Sequence, residues 1–516
     1  MKQRVVIIGS GFGGLGTACL LAKSGYDVTV LEKNESCGGR ASVFTEKGYT
    51  FDMGPSWYLM PDVFEQFFRL MDERVEEQLD LKKLSPSYRI FFKDVEKNGV
   101  SPFCVDLTSD IEKDVHIFEQ LEPGSGKKLR EYLASAAYQY TIAKDRFMYK
   151  NYDSIFDFLN RDTLIEGRKL SVFQSMDRYV RRFFHSDEIQ KIMQYTLVFL
   201  GSSPFNTPAL YNIMSHIDFN MGVYYPMGGI YTIIEAIVRI AKKHGVTIHT
   251  KAPVARIILE YGQAVGVELE NGETIPADIV ISNADIHHTE TDLLPPAARE
   301  YSATYWKKRV LAPSAFIMYL GVDGRIPELT HHNLLFSKDW KRNFSELFDD
   351  PKWPTDPSLY VCAPSISDPS VAPPNKENLF ILVPIASGID YTDADLETYG
   401  DKILATLEQE MRIPNLRQRI EYKKFFCVKD FTTRYNSYQG TALGLAHTLR
   451  QTALFRPNNI SKKVKNLFYV GANTNPGIGM PVCLISAELV WKRIMHDTTP
   501  GPIQALRQTE EIPPTY

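Results

Sequence analysis

Three observations predict an α/β fold for this chain. It opens on Val5-Val6-Ile7-Ile8, apolar and mostly β-branched, which reads as a buried parallel strand. That run meets Gly9, Gly11 and Gly14 at G-x-G-x-x-G spacing, and a helix-patterned stretch ended by Gly25 leads to a second strand, Val28-Thr29-Val30-Leu31, closed by Glu32. Far along the chain, residues 466–474 repeat the pattern of strand and glycine-rich loop, with a helix expected over 481–494 and Pro481 in its first turn. Together these predict a Rossmann-like nucleotide-binding domain with a mixed α+β domain inserted into it.

The first turn has a mechanical logic. Gly9 makes the turn, Gly11 lets a diphosphate approach the backbone, and Gly14 lets the helix pack closely on the strand. The helix N-terminus points its amides at that anion. Glu32 stands where a carboxylate accepts hydrogen bonds from adenosine ribose hydroxyls and repels a 2′-phosphate. Cys37-Gly38-Gly39-Arg40 follows, its glycines letting a second backbone segment close on the ligand and Arg40 placed to hydrogen-bond the diphosphate. Next comes Phe51-Asp52-Met53-Gly54-Pro55.

Composition sets the outer bounds. A chain of 516 residues is expected to form two intimately connected domains, and 44% hydrophobic with 23% charged residues describes a protein that buries a large core. A net charge of -4 gives no electrostatic reason to expect nucleic acid. Six cysteines lie far apart with no C-x-x-C pair, so a reduced, cytoplasmic chain with neither zinc site nor disulfide framework is expected. The apolar run after Met1-Lys2-Gln3-Arg4 is too short, and too soon broken by glycine, for a signal peptide. No run approaches the ~18 apolar residues of a spanning helix, so any membrane contact is expected to be peripheral. With 29 Phe and 27 Tyr, a large apolar cavity or surface is expected.

The chain divides into a nucleotide-binding part over 1–75, a first stretch of substrate domain over 76–224, a return to the nucleotide domain over 225–300, a second substrate stretch over 301–439, a closing nucleotide part over 440–497 and a loose tail over 498–516. Pro61 opens a helix with Phe64, Phe67, Phe68 and Met71 on one face, and 88–92 and 103–107 read as strands. Over 172–184, Val172, Phe173, Met176, Tyr179, Val180, Phe183 and Phe184 share one helical face, with Arg178, Arg181 and Arg182 off it. Such a helix either lies in an anionic membrane surface or turns its apolar face to the core. After Tyr224-Tyr225-Pro226-Met227-Gly228-Gly229, Ile230, Ile233, Ile234, Ile237 and Ala241 mark an amphipathic helix ended by Gly245. Short strands follow over 246–250, 255–259, 264–269 and 279–282, with Asn271-Gly272 as a hairpin turn.

The glycine turn, Glu32, Gly38-Gly39-Arg40 and Phe51-Asp52-Met53-Gly54-Pro55 together resemble the N-terminal FAD signature of the flavin amine oxidase superfamily and, within it, the phytoene desaturase family of bacterial and fungal carotenoid enzymes, dehydrosqualene desaturases included. Gly471-Ala472-Asn473-Thr474 through Gly479-Met480-Pro481 resembles that family's C-terminal FAD motif, and the likeness runs from residue 5 to about residue 494. It implies one FAD clamped at both ends, with a helix N-terminus aimed at the N1 and C2-oxygen edge of the flavin. The cofactor-binding set so implied is Gly9, Gly11, Phe12, Gly13, Gly14, Glu32, Lys33, Gly38, Gly39, Arg40, Gly54, Pro55, Val254, Asn283, Gly471, Ala472, Gly479, Met480 and Pro481. In relatives the Pro253-Val254 position lays its backbone against the adenine, and Ser282-Asn283-Ala284-Asp285 returns to the cofactor domain.

The resemblance further implies desaturation of a long linear isoprenoid, phytoene or dehydrosqualene-like, drawn from a membrane surface into an apolar tunnel. Hydride would pass to flavin N5, and a neighbouring proton would be lost. Met227 stands where several bacterial members carry a basic residue, which leaves the fine substrate assignment open, and Ala472 replaces the Glu of amine oxidases, which favours the carotenoid branch. No proton acceptor is named: Asp52 fits a capping role equally well, and Asp285, His331 and His332 are further candidates. Two other readings share the scaffold, a carotenoid ketolase or aldehyde-forming oxidase and a non-enzymatic isoprenoid carrier like the Rab escort and dissociation-inhibitor proteins. The intact glycine set argues for a retained cofactor. Oligomeric state is not legible.

Overall fold

The computed structural model describes residues 2–93, 103–154, 174–452 and 455–509. The opening strand, β1 (Arg4–Ile8), leads through the glycine turn into α1 (Phe12–Lys23) and then β2 (Asp27–Leu31). β1 lies at the centre of a five-stranded parallel sheet, flanked on one side by β2 and Thr247–His249 and on the other by Ile279–Ser282 and Leu467–Tyr469. Val5 to Ile8 are buried without alternation because both faces of the sheet are covered. One cover is α1, which packs between the Tyr231–Lys243 and Met480–Ile494 helices. Gly16 makes the second contact close: a Cβ there would lie 3.0 Å from Leu484 and 3.2 Å from Ala487. Of the short strands after Gly245, Thr247–His249 and Ile279–Ser282 pair into this sheet, whereas Val254–Glu260, Gln263–Leu269 and Thr274–Pro276 form a separate antiparallel meander turned at Asn271-Gly272.

A second, seven-stranded sheet runs in the order Ile420–Phe426, Ser314–Asp323, Lys376–Ile385, Leu359–Cys362, His332–Phe336, Tyr88–Phe92 and Phe103–Leu107. Its long strand Ser314–Asp323 is buried on both faces, and the period of two sorts its residues. Phe316, Met318 and Leu320 join Ile403, Leu404 and Leu407 of the Asp393–Glu410 helix in one core, whereas Ala315, Ile317 and Tyr319 face the larger core shared with the nucleotide-binding side.

The described part of the 172–184 stretch takes the core-facing alternative, and the tail departs from expectation. Val172 and Phe173 lie outside the described residues; the remainder of the 172–184 stretch forms a helix only over Met176–Val180. Met176, Tyr179, Val180 and Phe184 are buried there, Phe183 is half-buried and Arg178, Arg181 and Arg182 are exposed, so the described part of the apolar face turns mainly to the core. The described part of the expected loose tail is docked. Lys492 donates to the carbonyls of Thr499 and Gly501, Glu488 accepts from the Ile503 amide, and Ile503 is buried. None of the described helices is long and apolar enough to cross a membrane.

Candidate cofactor cleft

The parallel sheet brings its predicted site residues to one edge. The glycine turn leaves the carboxyl end of β1, Glu32 ends β2, Asn283 follows Ile279–Ser282, and Gly471 follows Leu467–Tyr469. In open parallel sheets this edge is where ligands bind. Gly9 has φ +94°, a conformation that side chains avoid. Gly14 closes the turn onto the helix: a Cβ there would stand 2.1 Å from the Gly9 carbonyl oxygen. Asn283 is wedged into the same turn, its amide donating to the Gly9 carbonyl at 3.4 Å. A Cβ on Gly11 would approach that amide to 2.9 Å, and one on Gly13 would meet Asn283 at 2.7 Å and Gly471 at 3.1 Å. The two ends of the chain thus touch at the turn.

Glu32 is buried and braces the turn. One carboxylate oxygen accepts from the Ser10 amide at 3.0 Å and hydroxyl at 2.7 Å, and the other accepts from the Asn34 amide and side chain at 2.9 Å. Lys33 follows Glu32 at the end of β2. Its ammonium is committed to the Thr433 carbonyl at 2.7 Å and the Asn436 side chain at 2.8 Å, tying β2 to a distant segment. Phe12 turns its ring into the core, edge-on to Phe64, so only its amide is offered to the cleft. The Ala252 amide donates to the Glu32 carbonyl at 2.8 Å, which sets Pro253 beside the end of β2 in the wall of an open cleft of about 510 Å³ that Val254 does not line.

The cradle fits a dinucleotide with a diphosphate at its middle. α1 starts at Gly11 with no side chain capping its first amides, and Arg40 keeps a buried Nε with no partner while its Nη2 donates to Ser437 at 3.1 Å. The turn at Gly54-Pro55 lies against Arg40, because a Cβ on Gly54 would meet the Arg40 carbonyl at 2.7 Å. The Met480–Ile494 helix likewise begins uncapped at Gly479, with Pro481 in its first turn. Arg456 holds the loop before it, donating to the carbonyls of Ala472 at 2.6 Å and Thr474 at 3.1 Å. His447 fills the loop from within, its Nε2 standing where a Cβ on Gly477 would come to 2.1 Å.

The four candidate proton acceptors separate cleanly. Asp52 accepts from the Ile230 amide at 2.8 Å and the Tyr231 amide at 3.0 Å, so it caps the Tyr231–Lys243 helix from another part of the chain. Burial pushes its carboxyl up to about 7. Asp285 caps the turn at His287 and His288 and accepts from Asn473 at 3.1 Å. His332 is buried and stacks on Trp57 at 4.2 Å, and its Nδ1 bonds the Tyr360 hydroxyl at 2.7 Å, which in turn bonds Ser56 at 2.8 Å. His331 packs on Tyr225, and neither of its ring nitrogens has a partner. Burial keeps both imidazoles neutral, His331 falling to about 3 and His332 well below its ordinary value. Cys362 sits opposite His332 in the adjoining strand, and its sulfur and a nitrogen from each imidazole lie within 4.8 Å of one another.

A family model described as flavin containing amine oxidoreductase matches residues 12–495. The chain belongs to this family. This flavin oxidoreductase is 46% identical to a carotenoid 3,4-desaturase of Haloarcula japonica, over 96% of this chain and 98% of that one. It is 37% identical to a zeta-carotene-forming phytoene desaturase of Myxococcus xanthus, over 96% and 94% of the two chains. A 4,4'-diapolycopene oxygenase of Methylomonas sp. is 33% identical over 96% and 99%. Among solved structures, an oxidoreductase of Methanosarcina mazei superposes with a TM-score of 0.62 at 18% identity, covering 95% of this chain and all of that one, which establishes the fold. A Rab dissociation inhibitor of Plasmodium falciparum shares that fold at a TM-score of 0.52 and 13% identity, over 96% and 99% of the two chains.

Within this flavin oxidoreductase the glycines, Asn283 and Gly471 meet as a single constellation. Arg456 and His447 had no signal in the sequence. Each is an isolated polar residue in a stretch without periodicity, and only the return of the chain to the sheet edge buries them.

Proposed function

We propose that this oxidoreductase holds FAD along the sheet edge and desaturates a long linear isoprenoid in carotenoid biosynthesis. The observation that carries the reading is the full-length likeness to desaturases, 30 to 46% identical over 96% or more of this chain, combined with an intact glycine cradle at both chain ends. The amides of Phe12 and Gly13 and the unpaired Arg40 Nε hold the diphosphate, Glu32 faces the ribose, and the uncapped Met480–Ile494 helix meets the flavin ring. FAD supplies hydride-accepting chemistry when bound. The chain's part is to orient the hydrocarbon, exclude water and take the proton. With Asp52 and Asp285 committed as caps, His331 and His332 are the candidates that keep unpartnered nitrogens; burial leaves both unprotonated at neutral pH and makes them weak bases, suited only to a strongly acidic proton such as the one beside a carbocation. An apolar substrate is gripped by buried area, at about 25 cal/mol per Å², and is met at a membrane surface.

The higher identity to the carotenoid 3,4-desaturase favours a carotenoid over a C30 precursor. The oxygenase among the relatives supports a second reading, terminal oxidation of a coloured precursor. Expression in hosts accumulating phytoene, dehydrosqualene or a conjugated carotenoid separates them. A red-shifted extract without added oxygen is expected, whereas a carbonyl-bearing product from the coloured precursor alone selects the second reading.

A further inference from the structure

Arg456 is a buried cation that no carboxylate among the described residues balances. It is 3% exposed, and four of its five N–H donors are turned on backbone carbonyls: Nε on Thr474 at 3.1 Å, Nη1 on Gln451 at 3.3 Å, and Nη2 on Leu445 at 3.1 Å and Ala472 at 2.6 Å. Among the described residues it forms no ion pair, and the ionisable side chains around it are Tyr211, Tyr305, Cys483 and His447. None of these supplies a negative charge: burial raises the Tyr211 and Tyr305 hydroxyls and the Cys483 thiol above their ordinary values and leaves His447 neutral. Burial lowers the guanidinium to about 10, so it stays charged at neutral pH. Carbonyl dipoles solvate such a charge only in part, and a fold that needed nothing but a loop brace would be served by a neutral donor.

The charge also has an address. It lies behind the 471–474 loop, whose Gly471 meets Gly13 of the first turn. Cys483, in the first turn of the uncapped Met480–Ile494 helix, feels both Arg456 and Arg40. Arg456, Arg40 and a helix N-terminus therefore all act on the surroundings of Cys483, with no described carboxylate among them.

We propose that Arg456 is a positioning residue that holds the flavin-end loop and presets positive potential there for the charge that arrives with hydride. The inference rests on the flavin reading above. A C–H bond of the substrate breaks with both electrons leaving as hydride; the oxidised flavin gains two electrons and one proton, hence one negative charge, and the substrate keeps the positive charge until its proton is lost. Arg456 acts on that added charge through the Ala472 and Thr474 peptides, favouring reduced over oxidised cofactor.

The test is a redox titration of the FAD-loaded full chain, with Arg456→Gln, Arg456→Met and Arg456→Lys beside the native protein. The neutral variants are expected to lose at least tenfold in preference for reduced over oxidised FAD, which for a two-electron couple is a midpoint about 30 mV lower. Arg456→Lys is expected to keep most of the midpoint but unfold at lower temperature, since three donors replace five. Dissociation constants of oxidised and anaerobically reduced FAD give the same ratio in a variant that does not purify loaded. A native ratio in both neutral variants would overturn the proposal, even with thermal stability lost, because the residue would then be a brace alone. Native protein that binds no flavin would remove the reading beneath it, and this inference with it.

Discussion

Gly14 carries a large consequence for one missing carbon. With 2.1 Å between its absent Cβ and the Gly9 carbonyl, Gly14→Ala has to push α1 off β1. Overpacking of this kind costs ~1–3 kcal/mol, read as a lower urea midpoint, and the flavin content of the purified protein is expected to fall with it. Glu32 works by a different route. Glu32→Ala strands the Ser10 and Asn34 donors it now satisfies, a loss of about 1–3 kcal/mol together with weaker FAD binding, measurable by unfolding and by titrating FAD into apoprotein. For the imidazole pair the proposed role separates turnover from binding. His331→Gln and His332→Gln together are expected to lower kcat by 10²-fold or more, with KM and flavin content near native, checked by steady-state assay on a solubilised substrate.

At the scale of elements, the Tyr231–Lys243 helix shows why a cap can hide from its own sequence. No side chain near its start accepts from its first amides; Asp52, on the strand Tyr49–Asp52, does so from 178 residues away. Asp52→Ala is expected to destabilise the protein by ~0.5–2 kcal/mol, and Asp52→Asn, which keeps a carbonyl acceptor, by less, a contrast that chemical denaturation resolves. The Met176–Val180 turn teaches the complementary point. A periodic apolar face states only that something covers it, and here the cover is the protein's own core, through Tyr132 against Tyr179 and Phe118 against Phe184.

At the scale of the molecule, three buried carboxyls, Asp52, Asp218 and Glu488, are each raised to about 7 by burial. Between their ordinary values near 4 and about pH 7, the folded protein keeps protons that the unfolded chain has released. Stability therefore falls as pH rises through that window and levels off above it. Thermal unfolding is expected at lower temperature at pH 7.5 than at pH 5.5. Asp218→Asn, which still accepts from the Tyr88 and Tyr195 hydroxyls, is expected to flatten the dependence.

What the sequence determined by itself is whatever is written in neighbouring residues. The β1 turn, the Pro61–Leu70 helix, the Asn271-Gly272 hairpin and the strands Tyr88–Phe92, Phe103–Leu107 and Ile279–Ser282 follow from periodicity, β-branching and glycine placement, because local backbone sterics act over a few residues. Folding decided what depends on distant partners: Asp52 as a cap, Lys33 bound to Thr433, His332 paired with Cys362 in the adjoining strand, and Arg456 sealed behind the 471–474 loop. Burial and hydrogen bonding belong to the packed whole, and a side chain's chemistry is set by the groups that surround it rather than by those that precede it.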